Sequence, residues 1–175
     1  MYERTTVPFP SVVSAPIPFL CGIIGVIASN IPVVVIGSSL PPPLLGLMPV
    51  YFWSLLRPDL MPAGAALVIG IAEDLLSGSP PGIWTASFVA SYAFVDRQRD
   101  SFAGLAGFGA IFGFALTVLI AAATAYVIFW IYSGHAPPST PLVLQLMMSV
   151  LFYIPATGVM SWIHRHMVGP RRSDF

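Results

Sequence analysis

The chain has 175 residues, of which 57% are apolar and only 8% charged, and its net charge at neutral pH is zero. Soluble domains carry about 25% charged residues, so the composition excludes a soluble globular protein. A neutral chain offers no basic surface to nucleic acid, and a single cysteine, Cys21, excludes an intrachain disulfide.

Backbone polar groups in lipid must be paired within the protein, which leaves helical bundles and closed barrels. A barrel needs alternating segments of about 10 residues, whereas the runs here are solidly apolar, as from Leu105 to Ile131. The sequence therefore predicts an all-α integral membrane protein of six transmembrane helices, near 17–37, 40–56, 60–77, 82–95, 102–132 and 141–163. Residues 1–16 read as a short tail, 17–164 as the membrane domain and 165–175 as a basic tail.

The first run resembles a signal peptide in length, but further spans follow and no Ala-x-Ala site closes it. Pro32 is expected to kink it, because proline removes a backbone hydrogen bond and clashes with the previous turn. Pro41, Pro42 and Pro43 open the second run and suit a helix start, and Pro49 implies a bend within it. The third run, from Leu60 to Ser77, holds Glu73 and Asp74, read as the only acids outside loops and tails. The fourth, Gly82 to Val95, is short. The fifth, Phe102 to Tyr132, would span roughly 45 Å against a hydrocarbon core of about 30 Å. No Gly/Pro turn lies near its middle, so it is expected to be one long helix. The sixth, Pro141 to Ile163, contains Pro155, where a kink is expected.

Charge sets the orientation. There is no lysine, and the seven arginines are Arg4, Arg57, Arg97, Arg99, Arg165, Arg171 and Arg172. With six spans all of them fall in the tails and the even-numbered loops, on one side, which the positive-inside rule makes cytoplasmic. The expected topology is N-in and C-in. The aromatic residues Tyr51, Trp53, Trp84, Trp130, Tyr132, Tyr153 and Trp162 mostly lie near run ends, as interfacial anchors do.

An acid at a helix centre costs about 2.5–3.5 kcal/mol on insertion scales, while each Leu, Ile or Val returns roughly 0.3–0.6. The apolar residues around Glu73 and Asp74 do not offset two ionised acids at the centre. The acids are therefore expected in the outer part of the third helix, facing other helices. Ala66, Gly70, Glu73 and Ser77 form one small, polar stripe, and Gly70, Asp74 and Ser77 the adjoining one. Two roles stay open for the acids: pinning the following turn through its backbone N–H groups, or meeting a partner. Arg57-Pro58-Asp59 reads as a cytoplasmic turn carrying orienting charge, or as a docking site. Gly104, Gly107, Gly109 and Gly113 make a small-residue face for packing within the bundle or against another protein. His164-Arg165-His166 and Arg171-Arg172 read as an orientation signal and headgroup anchor. Catalysis fails on the inventory: no second span offers an acid, and the three histidines fall in a loop and the tail. No Cys/His metal spacing, P-loop or dinucleotide fingerprint appears, so neither an enzyme nor a cofactor is expected.

Two linked pieces carry a resemblance. One is Pro49-x-Tyr51-x-Trp53 with Arg57-Pro58 closing the second helix. The other is Gly70-x-x-x-Asp74-x-x-x-Gly78-x-Pro80-x-Gly82 after the third. Together they resemble the bacterial rod shape-determining protein family MreD. Glu73, an added acid, and Pro81, where an aliphatic residue is usual, depart from the pattern. The resemblance implies a multi-pass protein of the bacterial inner membrane, non-enzymatic, in the elongation machinery. It would help MreC and the wall synthases maintain cell shape and lateral peptidoglycan synthesis. MreC is the partner implied most directly. MreB, RodA and the class B penicillin-binding transpeptidase follow indirectly. The implied fold is similar to the S components of energy-coupling factor transporters, so a small-molecule uptake subunit is the alternative. Such a subunit needs a pocket with convergent polar groups, and Asn30, Gln145 and the acid pair are the few polar residues deep in the chain. The membrane adaptor fits better.

Overall fold

Apolar runs become helices in this chain, and the turns at 57–62, 78–82 and 134–138 carry proline or glycine. The computed structural model describes residues 16–31, 41–99, 101 and 108–168. Six α-helices lie within them: α1 (Ile17–Ser29), α2 (Leu47–Leu56), α3 (Ala63–Ser77), α4 (Ile83–Arg97), α5 (Phe108–Ser133) and α6 (Ser139–Ile163). There is no strand among the described residues. A π-helical turn, His164–Val168, continues α6.

Two stretches, Gly109–Ser133 and Ser139–Val168, are long and apolar enough to cross a membrane. The first four helices have 13, 10, 15 and 15 residues, fewer than the roughly 20 that cross a bilayer as helix alone.

The core is built around α2. Leu47, Met48, Val50, Tyr51, Phe52 and Trp53 are all buried, and a helix apolar on every side must be enclosed. α1, α4, α5 and α6 surround it. Tyr51 meets Phe114 of α5 and Tyr153 of α6 edge-on, with ring centroids 5.5 and 5.7 Å away, and those two rings stack on each other at 4.0 Å. The Tyr51 hydroxyl donates to the carbonyl of Ala110 at 3.0 Å. α3 packs against α1 and α4.

Several expected boundaries move, each for a physical reason. The second helix begins at Leu47 and not near Leu40. Three prolines supply no N–H groups, and the segment stays non-helical from Pro41 to Leu44. Its backbone is paired from other helices instead. Leu44 N–H donates to Ser149 Oγ at 2.9 Å and Leu45 N–H to Ser29 Oγ at 3.0 Å. Gln145 Nε2 donates to the Pro42 carbonyl at 3.0 Å. Pro49 falls in the first turn of α2, where N–H groups lack helical partners anyway, so it opens the helix and need not bend it. The third helix starts at Ala63, after a turn in which Leu60 N–H reaches the Arg57 carbonyl at 2.9 Å.

α4 runs on to Arg97, which makes Asp96 helical and corrects the view that only Glu73 and Asp74 lie outside loops and tails. Asp96 pairs with Arg99. Residues 165–168 are not tail: the π-helical turn places Val168 in the core and His164 against Trp53, ring centroids 5.5 Å apart. Pro155 lies inside α6, which continues as one helix to Ile163. The expected bend at Pro32 and two of the small residues, Gly104 and Gly107, lie outside the described residues.

Close approach of α1 to the lead-in of α2 requires Gly25. A Cβ there would stand 2.6 Å from the Leu45 carbonyl oxygen and 2.8 Å from its carbon, both backbone atoms. Gly25→Ala is expected to lower stability by about 1–3 kcal/mol. At Gly158 in α6 a Cβ meets nothing within 4 Å, so Gly158→Ala is expected to be neutral or to gain up to about 1 kcal/mol from helix propensity. Thermal unfolding of both variants in detergent, beside wild type, checks the contrast.

Candidate functional site

The hairpin between α3 and α4 needs a sharp reversal. Gly78 ends α3 with φ 65° and Gly82 opens α4 with φ 97°, both in the left-handed region that glycine adopts without steric cost. Below the turn the two helices approach closely at Gly70, where a Cβ would lie 2.7 Å from Thr85 Cα and 3.1 Å from the Trp84 carbonyl oxygen.

The first turn of any helix leaves N–H groups without helical partners, and α4 has no side-chain cap of its own at Gly82. Asp74, from the last turn of α3, provides one. Its Oδ2 accepts from Gly82 N–H at 2.9 Å, Thr85 N–H at 3.1 Å and the Thr85 hydroxyl at 2.6 Å. Its Oδ1 accepts from Trp84 N–H at 2.8 Å. The donors expected from the sequence were the N–H groups of the turn; those observed reach further, into α4 itself. A carboxylate also meets the positive end of the α4 dipole. The carboxyl is buried, with Asp74 6% exposed. Ser77 and Ser79 share a hydrogen bond at 2.7 Å, and Trp84 Nε1 donates to Ser79 Oγ at 3.0 Å, which closes the outside of the turn. Pro80 contributes its carbonyl, to Ile83 N–H at 3.5 Å.

Glu73 points elsewhere. Its Oε1 accepts from Asn30 Nδ2 at 3.1 Å, a contact between α3 and the end of α1. The same amide donates to the Val26 carbonyl at 2.9 Å, and the Asn30 N–H also reaches the Val26 and Ile27 carbonyls at 3.2 Å. Sequence reasoning marked Asn30 as a deep polar residue but had no signal that would pair it with Glu73 across 43 positions.

Arg57, Pro58 and Asp59 form a separate site. The Arg57 guanidinium donates to the Asp59 carboxylate, Nη2 to Oδ2 at 2.9 Å and Nε to both oxygens at 3.2 Å. Arg57 is buried and Asp59 exposed. Its N–H closes α2 on the Trp53 carbonyl at 2.8 Å. The length of α3, 15 residues or about 22 Å at 1.5 Å per residue, separates this turn from the acids. The structure therefore joins Gly70, Asp74, Gly78, Pro80 and Gly82 in one unit and keeps Arg57 and Pro58 apart from it.

Gly109 and Gly113 lie on α5, half-buried and buried respectively. Thr117 Oγ1 donates to the Gly113 carbonyl at 2.8 Å, and Ser91 Oγ of α4 to the Thr117 carbonyl at 3.3 Å. Among the described residues no group of three His, Cys, Asp or Glu side chains could hold a metal ion. No protein-family model, no curated protein and no solved structure matches this chain.

Both Asp74 oxygens are in use, so asparagine keeps one acceptor and turns an amide N–H₂ towards donors. Asp74→Leu leaves four donors unpaired, at about 1–3 kcal/mol for each that stays buried. The expected order of thermal stability in detergent is wild type, then Asp74→Asn, then Asp74→Leu. Thr85→Val, which removes one hydroxyl donor, should cost about 1 kcal/mol. Asp74→Asn melting with wild type would contradict the bidentate cap.

Proposed function

We propose that this chain is a six-span protein of the bacterial inner membrane, with both termini cytoplasmic. Its function is that of a non-enzymatic adaptor of the cell-elongation complex, of the MreD type. The observation that carries the reading is the α3–α4 turn. Four motif residues of the resemblance have a definite task there: close approach at Gly70, the cap at Asp74, left-handed backbone at Gly78 and Gly82. A turn held by a buried, fully capped carboxylate is built to be presented in a fixed shape. MreC is the partner proposed to read it, with MreB, RodA and the class B transpeptidase reached through MreC.

The topology rests on the one-sided arginines and on the direction of the helices. Gly22 lies against Ile69, where an added Cβ would meet the Ile69 side chain, and Asn30 lies against Glu73. Along α1 and α3 these contacts advance the same way, as the first and third members of an up-down bundle must. The first four helices are short for full crossings. Non-helical backbone is tolerated at membrane depth where protein covers it, and Ser29, Ser149 and Gln145 give the lead-in of α2 that cover.

Reporter fusions after Gly37, Gly78 and Gly134 are expected to report periplasm, and fusions after Asp59, Arg99 and Phe175 cytoplasm. A periplasmic C-terminus would sink the six-span arrangement. Affinity purification from bacterial membranes is expected to recover MreC with the wild-type chain. Recovery of a transporter ATPase module in its place would favour the uptake subunit. An Asp74→Asn protein that remains abundant and folded yet loses MreC would make the carboxylate a contact residue as well as a cap.

A further inference from the structure

Glu73 and Asp74 are adjacent and both buried, 3% and 6% exposed, yet hydrogen-bond donors are shared between them very unequally. Asp74 accepts from three backbone N–H groups and one hydroxyl. Glu73 accepts from one amide, at Oε1. Its Oε2 is enclosed and has no hydrogen-bond partner among the described residues.

Among the described residues, no cation on the helices packed against it compensates it. α1 carries no charged side chain, and its one titratable group, Cys21, lies more than two turns before Asn30. On α4 the titratable and charged groups are Tyr92, Asp96 and Arg97, all in the half remote from Gly82. On α3 itself the only other ionisable group is Asp74, whose negative charge disfavours a second one beside it. An ionised Glu73 would hold a bare oxygen in a closed, largely apolar contact, which is among the costliest arrangements in a protein interior. A proton on Oε2 removes the charge, occupies no extra space and leaves Oε1 free to accept from Asn30. Paired carboxyls whose surroundings differ this way divide their roles.

We propose that Glu73 is a proton-binding site, in which Oε2 carries a proton in the folded bundle, so that loss of the proton loosens the α1–α3 contact at Asn30. The site does not depend on the adaptor reading and is open to tests that involve no partner.

The first test is the infrared spectrum of the full chain in lipid nanodiscs at neutral pH. The expected result is a carbonyl stretch of a protonated carboxylic acid that shifts in D₂O, disappears in Glu73→Gln and persists in Asp74→Asn. Glutamine keeps the shape of the neutral acid and an oxygen for Asn30, so this variant is expected to fold. Absence of the band from wild type, or its survival in Glu73→Gln, overturns the proposal.

The second test is thermal unfolding in detergent against pH, with Glu73→Gln as the reference. The unfolded chain releases the proton above the ordinary glutamate value of about 4.3, while the folded chain retains it. Folding then takes up a proton, and stability falls as pH rises, by up to tenfold in the folding equilibrium per pH unit. Glu73→Gln lacks this component. A difference between the two proteins that is flat with pH but grows with sodium would make Oε2 a cation ligand and overturn the proton assignment. Neither readout uses MreC or cell shape, so failure here and failure of the adaptor reading are separate results.

Discussion

Buried backbone must be paired, and in this protein side chains from distant elements do the pairing where helices stop. Asp74 closes the N–H groups at the start of α4 from the end of α3. Ser149 and Ser29 close those that precede α2 from α6 and α1. In water these groups would turn to solvent at little cost. In an apolar setting each one left open costs a few kcal/mol, so a handful of polar side chains fixes where the helices sit.

The same constraint explains the arrangement around α2. That helix has no polar face and accordingly no exposed one, from Leu47 to Ser54. Enclosing it takes four neighbours, and the non-helical stretch before it is threaded between α1 and α6, with Gly25 and Gly46 giving the space. Tyr51, Phe114 and Tyr153 lock the centre through ring contacts. At the other end of α2, Arg57 and Asp59 neutralise each other, and His164 covers Trp53. α3 packs against α1 and α4 and sends Ala66 and Ile69 into the same core, and its acids serve two different neighbours.

That division gives the acid pair its interest. Consecutive residues on a helix point about 100° apart, so Asp74 reaches α4 while Glu73 reaches α1. One carboxyl is surrounded by donors and stabilised by the start of a helix; the other has a single amide. Chemically similar groups thereby acquire different tasks, one capping a helix and the other joining α3 to α1. An adaptor reading of the chain uses the rigid turn, and the exposed apolar residues of α5 and α6, such as Phe112, Ile131, Leu151 and Trp162, match a lipid environment.

The sequence by itself determined that the chain is helical and strongly apolar, because long unbroken apolar runs do not alternate as strands do. It also marked the α3–α4 turn, since Gly78, Pro80 and Gly82 and an acid one turn earlier are local features. Helix ends were less legible. Apolar periodicity does not register that Pro41 to Leu44 will find partners on Ser29, Ser149 and Gln145, so Leu40 looked as good a start as Leu47. Nor does it register that His164 to Val168 will remain helical against Trp53. Only the tertiary structure decided that Asp74 caps α4 with both oxygens and that Glu73 meets Asn30, because those contacts join residues whose nearness depends on how α1, α3 and α4 pack.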